Sequence, residues 1–170
     1  MSEVHHDISY IWTRVNRRWL VTGALAGLGA GLVMLIAATT LTYFYLPREM
    51  AFPAKLIGAA MLGTPALQID ARLGMIAGLV IHFGLSGFFG LVFAQFVWEE
   101  SRRRILFLLS ALAGLAVWLF GSMMFMPSFN EPMLYLLPKP VSLLLHAVFG
   151  VSFGVLIVGL RPRLLNENRA

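Results

Sequence analysis

The stretch LGMIAGLVIHFGLSGFFGLVFAQFVW, residues 73–98, runs for 26 residues between Arg72 and Glu99 without a charged side chain. About 20 apolar residues in a helix cross the roughly 30 Å hydrocarbon layer of a bilayer. A membrane β-strand is shorter and alternates polar with apolar positions, and this stretch does not alternate. Three further uncharged runs lie between Arg18 and Arg48, Arg104 and Glu131, and Lys139 and Arg161, with lengths of 29, 26 and 21 residues. The composition agrees: 59% of the 170 residues are hydrophobic and 12% are charged, against about 25% charged in a soluble domain. The reading is an all-α integral membrane four-helix bundle with spans at about 20–46, 73–98, 105–126 and 140–160. These form a single transmembrane domain over residues 20–161, flanked by an N-terminal segment 1–19 and a tail 162–170. Eighteen residues precede the first run, which is too long for a cleaved signal sequence.

Four spans put both termini on one side. That side carries Arg14, Arg17, Arg18, Arg102, Arg103, Arg104, Arg161, Arg163 and Arg169, while Arg48, Lys55, Arg72 and Lys139 fall on the other. The excess predicts that both termini are cytoplasmic. Basic residues clustered at span ends point to membrane topology rather than nucleic acid. With no cysteine in the chain, disulfides and thiolate metal sites are excluded. Ile8, Ile11, Trp12, Val15 and Trp19 share one helical face, so residues 7–19 read either as a short amphipathic helix on the inner leaflet or as a cytoplasmic extension of the first span. The long loop after the first span holds AKLIGAAMLG between Pro53 and Pro65, too short to span and expected as a helix at the interface. The loop WEESRRR is short, which predicts that the second and third spans form a tight antiparallel pair.

The pentapeptide ALAGL occurs at residues 24–28 and again at 111–115, in the first and third spans. The second and fourth spans share another pattern: His82, Ser86, Gly90 and His146, Gly150, Gly154 place a histidine, a small residue and a glycine at intervals of four. The order suggests a parallel duplication of a two-span unit. Lipid offers helices no hydrophobic reason to associate, so contact depends on small residues that let backbones approach. Gly23, Gly27 and Gly31 in the first span, Gly74, Gly78 and Gly90 in the second, and Gly154 in the fourth are the expected packing positions. A spacing of four drifts by about 40° per step on a 3.6-residue helix, so such a strip winds around its helix.

Apart from the histidines, no side chain more ionisable than tyrosine lies within a span. That absence argues against a proton-coupled transporter with a buried carboxylate and against a charged pore. His82 lies about 15 Å along the helix from Arg72, and His146 about 10 Å from Lys139, at 1.5 Å per residue. Three readings follow. Each neutral imidazole donates to a carbonyl or hydroxyl on a neighbouring helix; or the pair ligates a haem b; or the site takes a chlorophyll, quinone or lipid. For haem, Ser86, Gly87 and Gly150 would leave clearance for the macrocycle, and Arg72 and Lys139 would meet the propionates.

The two ALAGL copies and the two histidine helices resemble the YagU-like family of bacterial four-helix inner-membrane proteins, over roughly residues 23–160. The resemblance implies an integral inner-membrane protein with no agreed activity. The residues themselves point to a non-enzymatic accessory subunit, packed against lipid and against a larger membrane protein or a second copy, with a haem-b electron-transfer subunit as the alternative.

Overall fold

The computed structural model describes residues 16–46, 48–68, 72–98 and 101–166, with side chains to 161. Most of the amphipathic segment expected over residues 7–19 lies outside the described residues. Four helices are long and apolar enough to cross a membrane: α1 (Arg17–Tyr45), α3 (Arg72–Phe96), α4 (Arg103–Phe129) and the span Lys139–Arg161 of α6, which as a whole runs Lys139–Asn166. Two shorter helices, α2 (Phe52–Leu62) and α5 (Glu131–Leu136), lie in the two longer loops at one end of the bundle. In lipid only a continuous helix satisfies every backbone N–H and C=O along a span, and the long apolar runs supply that. The fold is therefore an all-α bundle.

Two expected ends move. α4 passes through Pro127 to Phe129 instead of stopping near residue 126, and α6 continues through Asn166 into the segment expected as a tail. In α geometry the ring of Pro127 would strike the carbonyl of Met123. Residues Gly121–Phe125 form a π-helical turn just ahead of it, and this wider turn makes room for the ring.

The order of packing is α3, α1, α6, α4: α1 packs against both α3 and α6, and α4 packs against α6. α3 and α4 do not pack along their length despite the short loop between them, which corrects the expected tight pair. A short connection limits how far two helix ends can separate, but close packing needs facing small residues. Those lie elsewhere. A Cβ added at Gly23 would meet the carbonyl of Gly90, and one at Gly27 the carbonyl of Ser86, so α1 and α3 are in backbone contact. On the other side, a Cβ at Gly114 would lie 2.6 Å from the His146 carbonyl, one at Gly150 2.8 Å from the Ala111 carbonyl, and one at Gly154 3.2 Å from the Phe107 carbonyl.

The small-residue strip of α3 serves two neighbours. Gly90 meets α1, whereas Gly74 and Gly78 meet α2 and the turn after it, at Ala66, Ala54 and Gly58. Four steps of about 40° turn the strip by roughly 160° between Gly74 and Gly90, so its two ends face different partners. α2 is accordingly packed into the bundle rather than laid on the surface, with Phe52, Ala54, Lys55, Leu56 and Ala59 buried. Lys55, 2% exposed, is neutralised by Glu49 at 2.6 Å and also donates to the Gln68 carbonyl at 2.8 Å.

The buried side chains form two clusters. Trp19, Phe93, Leu106, Phe149, Phe153 and Ile157 belong to the larger, toward the chain termini, where the Trp19 indole also donates to the Val97 carbonyl at 2.8 Å. Phe52, Leu56 and Leu137 form the smaller at the loop end. The histidines lie between them.

Candidate functional site

His82 on α3 and His146 on α6 line the same two cavities. One, of about 40 Å³, lies toward the loop end under Phe52, Leu56 and Leu137. The other, of about 150 Å³, fills the gap between α3 and α4. Ile81, Leu85 and Phe89 form one wall of the larger cavity and Val117, Phe120 and Phe125 the other, with Phe149 of α6 behind. Leu85 and Phe120 are 39% and 51% exposed, so the cavity reaches the lipid-facing surface at its mouth. Outward from it, Met61, Ile81, Gly84, Leu85, Phe125 and Phe129 line an apolar cleft of about 420 Å³ that shares Ile81, Leu85 and Phe125 with the cavity.

The two rings are held differently. His82 donates its Nε2–H to the Gly31 carbonyl of α1 at 2.8 Å, a cross-helix bond of the kind expected. His146 donates its Nδ1–H to the Ser142 carbonyl of its own helix at 2.8 Å, which departs from that expectation. The sequence accounts for the difference. Four residues beyond the glycine of the first ALAGL is Gly31, small enough for an imidazole to reach its carbonyl; four beyond the glycine of the second is Trp118. The pairings are also displaced by one turn: Gly27 faces Ser86 and Gly90, whereas Gly114 faces His146 and Gly150. His146 thus has a different surface beside it and turns back to Ser142.

A neutral imidazole carries one N–H. Both are engaged with carbonyls, which leaves a lone pair on Nδ1 of His82 and on Nε2 of His146, neither with a protein partner among the described residues. Two other polar side chains line the larger cavity. Ser86 donates its hydroxyl to the His82 carbonyl at 2.7 Å. Asn130, 1% exposed, uses its amide N–H groups on the Leu56 carbonyl at 2.9 Å and the Met133 sulfur at 3.7 Å. The cavity therefore presents acceptors and no unengaged side-chain donor.

Other expected site residues lie apart from the cavity. Gly150 is pressed against the backbone of Ser110 and Ala111, and a Cβ at Gly87 would meet the Leu28 side chain at 3.4 Å; both pack helices rather than clear space for a macrocycle. Ser86 does line the cavity, but its hydroxyl and Cβ also abut Gly31. Arg72 and Lys139 are exposed at the starts of their helices and do not line either histidine cavity, because the rings lie two to three turns deeper. Asn130 and Lys55 were not singled out as site residues. Asn130 carries a readable signal, an Asn before Glu-Pro, since Asn is a favoured N-cap and proline is tolerated in the first turn.

Comparison with protein-family models, curated proteins and solved structures gives no match for this chain.

Proposed function

We propose that this chain is a non-enzymatic accessory protein of the bacterial inner membrane that binds a lipid-soluble molecule in the cavity between α3 and α4. The observation that carries the reading is the gap itself: two consecutive spans stay apart, and the space between them leads from the bilayer to both histidines. Aromatic walls and few polar groups are the usual character of a small-molecule site. The test uses protein purified in mild detergent, extracted with organic solvent and examined by mass spectrometry, with Gly121→Leu as comparison. Gly121 lines the cavity and a Cβ there meets nothing within 4 Å, so leucine adds bulk to the lining without backbone collision. The native chain is expected to retain a lipid-soluble molecule that the variant lacks, and an empty native protein would refute the reading. Proteins that co-purify identify the partner it serves.

Both rings lining one cavity also supports a second reading, a haem b held by His82 and His146. It requires His82 to release the Gly31 carbonyl or to ligate through Nδ1, and α3 and α4 to move apart, since about 150 Å³ holds one aromatic ring and not a macrocycle. A Soret band in the purified protein, lost in both His82→Ala and His146→Ala, is its signature; a colourless preparation counts against it.

The basic-residue excess near the termini supports cytoplasmic termini. A Ser2→Cys chain is expected to resist an impermeant thiol reagent in intact cells and to react once the membrane is opened. Labelling of intact cells would reverse the orientation.

A further inference from the structure

We infer that the cavity between α3 and α4 is a site for the reduced head group of a quinol, and that it discriminates against the oxidised quinone. The inference rests on the ligand-binding reading above and names the ligand class. The first argument is size. A buried cavity of about 150 Å³ accommodates one benzene-sized ring, and this one has about that volume, with Phe89, Phe120, Phe125 and Phe149 in its walls. A single aromatic head group fits.

The second argument is access. Leu85 and Phe120 stand at the mouth with a third or more of their surface exposed. The neighbouring cleft along Met61, Gly84, Phe125 and Phe129 is an apolar track for a hydrocarbon tail, and Gly84 adds no side chain to obstruct it. A ring with an isoprenoid tail enters sideways from the bilayer, head first.

The third argument is polarity, and it separates the two oxidation states. Nδ1 of His82 and Nε2 of His146 offer lone pairs from two different helices, while the donors of Ser86 and Asn130 are engaged elsewhere. A quinol hydroxyl brings a donor to such an acceptor. A quinone brings two carbonyl acceptors, which would face those lone pairs without a hydrogen between them; a buried acceptor left unpaired is unfavourable.

The experiment uses the full chain in nanodiscs, stripped of bound lipid-soluble molecules, and a decyl-tailed benzoquinol with its quinone as probes. Equilibrium binding of each is measured, the quinol under argon with reductant. The quinol is expected to bind at least about tenfold more tightly than the quinone, the effect of a single well-made hydrogen bond. His146→Leu should weaken the quinol by a similar factor and leave quinone binding no weaker, since it removes the acceptor that the quinone carbonyl would face. Its thermal transition should stay in place, because the bond to Ser142 ties no two helices together. His146→Gln should narrow the discrimination, since an amide offers a donor as well as an acceptor. Equal affinity for the two forms, a preference for the quinone, or quinol binding indifferent to His146→Leu would overturn the inference. Binding of neither probe by a protein that retains a different lipid-soluble molecule from the membrane would also overturn it, while leaving the broader ligand-binding reading intact.

Discussion

Gly78→Leu is expected to unseat α2 from the bundle and lower its stability by about 3 kcal/mol or more, the upper end of overpacking costs. A Cβ at this position would fall on the Ala54 carbonyl and within 3.0 Å of the Gly58 nitrogen. Both are backbone atoms of one helix, and neither can rotate away as a side chain would. Gly90→Leu should do comparable harm by a different route, because its Cβ would collide with the Gly23 carbonyl and lie 3.0 Å from the Gly27 Cα, forcing α1 from α3. Gly84→Leu is the control: nothing lies within 4 Å of the added carbon, and the helix gains a better helix former. Thermal midpoints in one detergent compare the three. The packing account fails if Gly78→Leu and Gly90→Leu unfold where the native chain does. Limited proteolysis separates the two lesions, with cleavage in the loops around α2 expected for Gly78→Leu alone.

Asn130→Ala is expected to cost about 2–3 kcal/mol, the sum of a lost helix cap and a lost buried hydrogen bond. Its Oδ1 accepts from the Met133 N–H at 3.3 Å and starts α5, while its Nδ2 reaches across to the Leu56 carbonyl on α2 at 2.9 Å. One side chain thus ties the two loops together above the histidine layer. Asn130→Asp divides the two roles. The carboxylate keeps the cap, but it turns an acceptor toward the Leu56 carbonyl where a donor stood. It should destabilise at least as much as alanine. An aspartate variant as stable as the native chain would show that the cap alone matters. Asn130 and Ile57 line the cavity between α3 and α4, so under the proposed function the alanine variant should also release the ligand faster.

The spans were legible because charge is costly in lipid: each uncharged run is bounded by Arg, Lys or Glu, and a long helix occupies each. Which helices touch was legible only in part. Loop length favoured α3 beside α4, but Gly23 and Gly27 opposite Gly90 and Ser86 draw α1 to α3, and Gly114 opposite Gly150 draws α4 to α6. The spacing of four marked the small residues without saying which partner each would meet, since the strip turns as it climbs. The histidines were visible as polar residues in apolar runs. Their tautomers were not, because a tautomer is fixed by the carbonyl that comes within reach. Gly31 lies beside one ring, while the other returns to Ser142. The two copies of ALAGL are identical as text, and what distinguishes them is the residue four places on, Gly31 in one and Trp118 in the other.

The burial of α2 has a consequence for the bilayer. α2 lies level with Gly74 and Gly78, within the apolar length of α3, and its loop-end cluster includes Leu137 just past α5. Among the described residues, a slice through that end cuts helices beyond the four long ones, whereas a slice toward the termini cuts the four alone. Among the described residues, the outline is therefore broader at the loop end than toward the termini. Lipids beside such a shape tilt to fill the difference, and the elastic energy falls where the sheet already bends with its crowded leaflet on the convex side. A bundle of this outline is expected to partition toward small vesicles curved with the loop-end leaflet outermost, and equal partition into large and small vesicles of one composition would show that its outline carries no such bias.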